Sequence, residues 1–324
     1  MDGHDAPPPV QVASIADPEI LATALRDAQV EYLRLAPGAF TATLTAIDLG
    51  PVRLQVASDH AHISRGQVAA DRSMLLLGLE LAAGCTHMNG IRVAEHDVVH
   101  LGSGAALFAR VLAPVRWAAF SFRADALQAD IPDNALPARE EFLLRRRDGA
   151  HQRLAAFARE AAALAERDPM RFALPAVRKA MAEDALRASV AAITDPAESD
   201  TAFRAVQRRV ALVARAEELL AARMGEALYS EDLQHLLGVP MRTLHNAFIA
   251  VHGMSVHRYL RLRRLHMARA ALRAGPGSVS HVKMAALDHG FWHLGRFAHE
   301  YRGLFGELPS ETIGRGHATL LSAP

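Results

Sequence analysis

The stretch YSEDLQHLLGVPMRTLHNAF, residues 229–248, has the pattern of two short helices joined by a tight turn. Ser230 is predicted to cap the first helix, because its hydroxyl can accept from a first-turn amide and the acidic residues after it suit the helix dipole. Gly238 permits a left-handed C-cap, and Pro240 suits the start of the second helix.

The second helix of this pair is predicted to bury one face and to expose polar side chains on the other. Leu244 and Phe248 lie four residues apart and share the inner side. The outer arc carries Arg242, His245, Asn246 and Ile249, with Thr243 near its edge. Such an arc suits the DNA major groove, where Arg can span guanine O6 and N7 and Asn can span adenine N6 and N7. Taken alone, this segment is weak evidence for a helix-turn-helix, because ordinary helical hairpins with polar outer faces are common.

A second copy of the pattern favours a DNA-binding domain. Residues 278–306, SVSHVKMAALDHGFWHLGRFAHEYRGLFG, predict a short helix, a turn at Gly290 and a second helix with Phe297 and Tyr301 on its inner side. Leu294, Arg296 and His299 are left toward the outside. Phe291 and Trp292 are interpreted as packing residues.

A long helix is predicted between the two units. Residues 255–275, SVHRYLRLRRLHMARAALRAG, would form a helix about 30 Å long, close to the ~34 Å of one turn of B-DNA. Both outer arcs could then meet adjacent major-groove segments on one face of a duplex. Its arginines either contact phosphate or form a solvated face: Arg258, Arg261, Arg263, Arg264, Arg269 and Arg273.

The N-terminal half has a different pattern. Residues 17–35 predict a helix, and residues 40–122 hold short Val-, Leu- and Thr-rich runs, with an Asn-Gly hairpin turn at residues 88–90. Beyond Pro137 the pattern is helical. We therefore predict an α+β chain: a β-rich domain with a cupin-like antiparallel β-barrel over residues 1–137, a helical connector over 138–198, and an all-α domain over 199–324. The connector is either an ordinary packed helical hairpin or a dimerisation surface.

Charge and composition limit the function classes. Residues 1–199 hold 20 Lys and Arg against 25 Asp and Glu, a formal charge of −5, whereas residues 200–324 hold 16 against 10, or +6. The basic part suggests a polyanionic partner. The single cysteine, Cys85, excludes an intramolecular disulfide framework. No signal peptide or membrane span is recognised, so a cytoplasmic location is expected.

The segments RTLHNAF, GMSVHRYLRLRRLHMAR and GFWHLGRFAHEYRGLFGELPSE resemble the AraC/XylS family of bacterial transcription regulators, and the likeness covers about residues 205–313. Two positions depart from many members, which have Pro where Val256 stands and Arg where Asn246 stands. Within the family, TLHNAF, VKMAALDHGFWHLGRFAHEY, PAVRKAM and LAPGAFTATLTAIDL are most similar to the ethanolamine-operon regulator subgroup.

The resemblance implies a transcription regulator, more often an activator, that binds promoter DNA and contacts RNA polymerase. Its N-terminal domain would sense a small-molecule effector or form a homodimer. DNA contacts are implied for Arg242, Thr243, His245 and Asn246 in the first unit, and for Leu294, Gly295, Arg296 and His299 in the second, with His293 as an N-cap or phosphate contact.

Other functions have weaker support in the sequence. His60 and His62 form an HAH motif, but Glu80, His87, His96 and His100 do not fall at a convincing metal-site interval, and Cys85 with His87 is weaker still. We therefore predict no metal, no cofactor and no enzymatic activity. The alternatives are a β-barrel enzyme with an appended nucleic-acid-binding module, and a C-terminal module that binds protein.

Overall fold

The computed structural model describes residues 8–35, 37–38, 40–123, 126, 142–146, 148–194, 201–223, 227–275 and 279–313. These residues form two compact units. One is drawn from Met1–Tyr32 and Phe40–Arg204, and the other from Leu33–Ala39 and Ala205–Pro324. The first is an antiparallel β domain with covering helices, and the second is built from helices. The predicted α+β class is confirmed.

Two antiparallel sheets make up the β domain. The strands are β1 (Val10–Ile15), β2 (Ala28–Arg34), β3 (Ala42–Asp48), β4 (Val52–Asp59), β5 (His62–Val68), β6 (Arg72–Glu80), β7 (Thr86–Met88), β8 (Ile91–Arg92), β9 (Asp97–Leu101), β10 (Ala106–Val111), β11 (Val115–Arg123) and β12 (Phe142–Arg146). The seven-stranded sheet has the order β1-β3-β4-β11-β6-β9-β12, and the five-stranded sheet has the order β2-β5-β10-β7-β8. Within the described strands the two sheets do not join into one closed ring, so the predicted barrel is an open one.

The seven-stranded sheet presents its two faces to different partners, because side chains alternate along each strand. Val52, Leu54 and Val56 of β4 pack against two helices, α2 (Asp148–Arg167) and α3 (Pro175–Thr194). Gln55 and Asp59 of the same strand belong to the opposite face. Alanines line the buried side of α2, where small side chains let a helix lie close to a sheet: Ala155, Ala158, Ala161, Ala162 and Ala165.

The Asn-Gly turn forms where the sequence predicts it. Asn89 has φ 48° and Gly90 has φ 78°, which are the positive values that a type I′ turn needs at both central positions. The turn joins β7 to β8, with Met88 opposite Ile91. The buried Asn89 side chain also donates to the Ala106 carbonyl and accepts from the Phe108 amide, which fixes the hairpin against β10.

The helix predicted over residues 17–35 is only partly correct. A short helix, α1 (Pro18–Ala24), is capped by Asp17, and the remainder forms β2. The helix ends at Leu25, whose backbone is extended with ψ 139°, and the turn into β2 passes through Asp27, which has φ 65°. The Asp27 carboxylate accepts from Arg53 at 2.5 Å and from the Ser121 hydroxyl, so long-range contacts hold the turn between α1 and β2.

The region after Pro137 is not entirely helical. Phe142–Arg146 forms β12, which pairs with β9 from Phe142 opposite Leu101 to Arg146 opposite Asp97. Sheet pairing thus overrides the helix propensity of this stretch. Helices α2 and α3 do form in the predicted connector, with a 3₁₀ helix at Pro169–Ala173 between them. They pack on the seven-stranded sheet as part of the first unit.

The C-terminal helices are α4 (Thr201–Ala222), α5 (Ser230–Leu237), α6 (Met241–His252), α7 (Val256–Ala274), α8 (Val279–Asp288) and α9 (Leu294–Phe305). An aromatic core that includes Phe291, Phe297, Tyr301 and Phe305 joins α7, α8 and α9. In the described part of the chain, no helix has both the length and the apolar character to cross a membrane.

The histidines considered as metal ligands lie in separate environments. His60 is exposed and hydrogen-bonds the Thr41 hydroxyl at 2.8 Å, whereas His62 is buried. His100 is buried and hydrogen-bonds the Ser73 hydroxyl at 2.8 Å. Across the described ranges, no three His, Cys, Asp or Glu side chains gather closely enough to hold a metal ion.

Candidate nucleic-acid interface

The first helix pair is α5 and α6, and local capping sets the turn between them. Gly238 has φ 65° and its amide donates to the Gln234 carbonyl at 3.0 Å, as predicted for a left-handed C-cap. Pro240 precedes α6. The predicted Ser230 cap is wrong, because the helix begins at Ser230 itself, with Tyr229 at the cap position. Asp232 instead closes the helix start by accepting from the Tyr229 amide at 2.9 Å.

Helix α6 has a buried face and an exposed one. Leu244, Phe248 and Val251 are buried against the rest of the unit. On the opposite side the exposed residues are Arg242, Thr243, His245, Asn246 and Ile249. Because the outer arc begins in the first turn of the helix, its polar side chains project from the end that can enter a groove.

The second helix pair, α8 and α9, repeats this construction. Gly290 has φ 74° and its amide donates to the Leu287 carbonyl at 2.9 Å. A Cβ on Gly290 would lie 2.7 Å from the Tyr229 hydroxyl and 3.1 Å from the Ala227 Cβ, so the turn has no room for a side chain. His293 occupies the N-cap position of α9, and its side chain makes no capping hydrogen bond to the described residues.

Helix α9 also exposes one arc. Its buried face carries Phe297, Tyr301, Leu304 and Phe305. All five residues predicted as contacts of this unit are exposed: His293, Leu294, Gly295, Arg296 and His299. The chemistry of this arc differs from that of α6, since Leu294 and Gly295 offer no hydrogen-bonding side chain.

Arg296 is held by an ion pair. Its Nε donates to Glu300 Oε1 at 3.0 Å, and the same carboxylate accepts from Arg261 Nε at 2.6 Å and Nη2 at 2.8 Å. Burial raises the pKa of Glu300, but hydrogen bonds from Arg261 and Arg296 outweigh it and bring the pKa below its ordinary value. Glu300 therefore ties α9 to α7 and restricts the position of Arg296.

Helix α7 joins the two units. It begins after Ser255, whose hydroxyl accepts from the Arg258 amide at 3.2 Å, and it ends before Gly275, so the predicted helix is confirmed. Its 19 residues give a length of about 28 Å. It packs against α5 and α6 on one side of the domain and α8 on the other.

Most of the α7 arginines described here have structural partners. Arg263 is buried and donates to the Leu220 carbonyl at 3.1 Å, which ties α7 to α4. Arg269 donates to Glu307 at 3.1 Å. Arg258, in the first turn, is exposed. The basic character of this helix therefore overstates the number of charges that can meet phosphate.

Arg264 links the two helix pairs through aromatic stacking. Its guanidinium lies 4.5 Å from the ring centroid of Tyr229, which caps α5, and 5.6 Å from that of Phe291, which precedes α9. Arg264 is buried, and a guanidinium over two ring faces gains cation–π energy in such a setting. This contact holds the start of α5 beside the turn between α8 and α9.

The sequence interpretation missed two residues of this surface. Trp292 was interpreted as a packing residue, but 70% of it is exposed, directly before His293. An exposed indole here can make apolar contact with a thymine methyl group. Its position just outside the inner face of α9 is the only sequence feature that could have indicated this. Glu300 was also missed, because its partner Arg261 is 39 residues away.

Comparison with known proteins gives this surface a context. Residues 233–315 match the model of a helix-turn-helix domain family. The XylDLEGF operon transcriptional activator of Pseudomonas putida is 43% identical over 83 residues, which are 26% of this chain and 26% of that protein. This chain thus matches about a quarter of the length of that curated relative.

Two solved structures are similar to the chain. The crystal structure of a probable AraC family transcriptional regulator from Rhodopseudomonas palustris CGA009 is 36% identical, covering 33% of this chain and 97% of that chain, with a TM-score of 0.29. The AraC-like transcriptional activator CuxR is 15% identical, covering 86% of this chain and 99% of that chain, with a TM-score of 0.43. The match of residues 233–315 to the helix-turn-helix family model supports a helix-turn-helix domain there, and the curated relative over this region is a transcriptional activator. The alternative of a barrel enzyme is not favoured.

Proposed function

We propose that the protein is a sequence-specific DNA-binding transcription regulator of the AraC/XylS family, in which α6 and α9 enter successive major-groove segments on one face of a duplex. The observation that carries this proposal is the exposure of both outer arcs while the inner faces of both helix pairs are buried in one unit around α7. A helix about 28 Å long is close to the ~34 Å between successive groove segments.

The residues of the two arcs are assigned different roles. Arg242 suits a bidentate contact to guanine and Asn246 one to adenine, with Thr243 and His245 contacting adjacent bases or backbone. In the second unit, Arg296 and His299 can donate to bases or phosphates, and His293 suits a phosphate. Because Leu294 and Gly295 lack hydrogen-bonding groups, this unit contributes more to positioning than to base discrimination.

The remaining assignments concern the whole regulator. We propose that it acts in the cytoplasm, that it activates transcription through contact with RNA polymerase, and that it is not an enzyme. Its N-terminal domain, residues 1–137, would sense an effector or form a homodimer, with residues 138–198 as connector. We also propose membership of the ethanolamine-operon regulator subgroup, on the segments TLHNAF, PAVRKAM and LAPGAFTATLTAIDL. The effector of that subgroup is not part of this proposal.

Selection of bound duplexes from a random pool tests the proposal. The full-length chain should enrich one motif with two parts centred about one helical turn apart. The Asn246→Ala variant should alter base preference in one part and leave the other unchanged. Retention of duplexes without an enriched motif, or no retention at low salt, would contradict the proposal.

A further inference from the structure

A small apolar cavity lies between the two sheets of the N-terminal unit. Its volume is about 100 Å³. Strands of both sheets line it, among them β6 with Met74 and Leu76, β10 with Leu107 and β11 with Trp117 and Ala119. These residues fall on the sheet faces turned away from α2 and α3, so alternation along each strand supplies a second, inner apolar surface.

One end of this cavity is polar. His62, Tyr32 and Trp117 line it, and the Asp59 carboxyl lies against all three. Trp117 Nε1 donates to Asp59 Oδ2 at 3.2 Å, and His62 Nδ1 is 3.4 Å from Asp59 Oδ1. The Asp59 side chain is fully buried, and the Tyr32 side chain also hydrogen-bonds its carboxyl. A carboxylate has about four acceptor sites, so Asp59 can still accept from a further donor close by.

The orientation of His62 also favours a hydrogen-bond donor. Its Nδ1 lies 2.7 Å from the His60 carbonyl oxygen. A carbonyl oxygen only accepts, so Nδ1 carries the hydrogen. In the neutral imidazole, Nε2 then holds the lone pair, and it is the ring nitrogen left for an occupant of the cavity. The Tyr32 ring packs against the imidazole with 4.5 Å between centroids, which limits its rotation.

The electrostatics of this end disfavour an anion. Burial raises the pKa of Asp59, and the opposing effects of His62 and Trp117 do not outweigh it. Burial and the adjacent Asp59 carboxyl raise the pKa of Tyr32 well above its ordinary value. The surroundings therefore already disfavour the negatively charged forms of Asp59 and Tyr32. A ligand carboxylate would bring a further negative charge to the same buried place.

We propose that this cavity binds the effector, and that the effector is a small, largely apolar molecule whose head group donates hydrogen bonds, an alcohol or a protonated amine, rather than a carboxylate. An engineered cavity of ~150 Å³ takes benzene, so a cavity of about 100 Å³ limits the occupant to fewer heavy atoms than benzene has, about four. The term effector rests on the proposed function, whereas binding in the cavity does not require DNA.

Three molecules with the same short carbon chain test the head-group chemistry: propan-1-ol, propan-1-amine and propanoate. The chain has two tryptophans, so Trp292→Phe leaves Trp117, in the cavity wall, as the sole indole reporter. Titration of this full-length variant near neutral pH should give a saturable fluorescence change with the alcohol and the amine. The carboxylate should bind at least tenfold more weakly.

Variants test the residues of the polar end. Asp59→Asn should remove most of the discrimination against the carboxylate and weaken the amine most. Asp48→Asn makes the same change on β3 outside the cavity and should alter nothing. Ala119→Leu should weaken all three probes by filling the cavity, with circular dichroism verifying that each variant is folded. Equal affinity for alcohol and carboxylate, no response in a folded protein, or unchanged discrimination in Asp59→Asn would overturn the proposal.

The DNA assay keeps this inference separate from the proposed function. If the duplex pool yields a motif and none of the three probes binds, the cavity assignment alone is wrong. Probe binding with the expected preference but without an enriched motif would support the cavity and remove its role as an effector site.

Discussion

Arg242 and Arg258 are exposed in the first turns of α6 and α7, whereas Arg263 and Arg264 are buried and Arg261 is paired with Glu300. The arginines of these helices thus differ in role from one side chain to the next. A buried guanidinium with a carbonyl or an aromatic partner stabilises the helix packing. An exposed one can exchange water for a base or a phosphate, and substitutions should separate these two groups.

Arg242→Ala should lower affinity for the selected duplex by about 1–3 kcal/mol and relax preference at one base pair, because a bidentate base contact is lost. Binding titrations against the selected duplex and its single-base variants, at one salt concentration, measure both effects. Arg187→Ala removes the same charge from an exposed side chain of α3 and serves as the control. A uniform loss across all base variants would assign Arg242 to the phosphate backbone instead.

Glu300→Gln should reduce the free energy of unfolding at pH 7 by about 1 kcal/mol, the scale of partly exposed ion pairs. The folded pKa of Glu300 is below its ordinary 4.5. Its carboxylate therefore contributes stability above pH 4.5, and this contribution is lost as pH falls through the folded pKa. Urea unfolding of the unsubstituted protein and of Glu300→Gln between pH 7 and pH 4 measures the difference in their free energies of unfolding. This difference should become smaller below about pH 4.5. A difference that does not change with pH would rule out the ion pairs as its cause.

Spacing along the chain predicts exposure well and partners poorly. The period of 3.6 residues places Leu244 and Phe248 inside, and the expected outer arcs of α6 and α9 are exposed. The helical period does not predict the Arg261–Glu300 ion pair or the stacking of Arg264, because each contact joins residues far apart in the sequence. Whether the exposed residues contact DNA stays a prediction.

At the scale of elements, the turn before α9 depends on one glycine. Gly290→Ala should destabilise the C-terminal unit by at least about 1–2 kcal/mol, because φ is 74° and the new Cβ would meet the Tyr229 hydroxyl. Gly303→Ala, inside α9 with open space around its Cβ, should instead stabilise by about 0.5–1 kcal/mol. Denaturant unfolding compares the two variants. Equal effects of the two substitutions would show that the backbone conformation at Gly290 does not determine the stability of the C-terminal unit.

Elements that depend on sheet partners were the hardest to predict. The helical pattern of residues 17–35 continues past Ala24, but the backbone becomes extended at Leu25, and Asp27 holds the turn into β2 through contacts with Arg53 and Ser121, which lie on β4 and β11. Residues 142–146 likewise pair with β9 although their local pattern is helical. In contrast, α7 and the turns at Gly238 and Asn89 rest on local capping and turn chemistry, and they were predicted correctly.

At the scale of the whole molecule, affinity for DNA should depend on salt less than the charge of +6 on residues 200–324 suggests, because several arginines are engaged internally. Each neutralised phosphate adds about −0.9 to the slope of log affinity against log salt. Arg258→Ala should weaken binding equally for all sequences and reduce that slope by about 1. Binding titrations of the unsubstituted protein and of Arg258→Ala over a range of salt concentrations measure the two slopes. A changed base preference would contradict the assignment of Arg258 to phosphate.

The central claim is that one stiff helix sets the distance between two DNA-reading helices. The most direct measurement is the affinity of the full-length chain for the selected duplex after about 5 base pairs, half a helical turn, are inserted between the two parts of its motif. We expect affinity to fall to that for a duplex carrying only one part, because α9 would then face the opposite side of the double helix. Unchanged affinity would contradict the account.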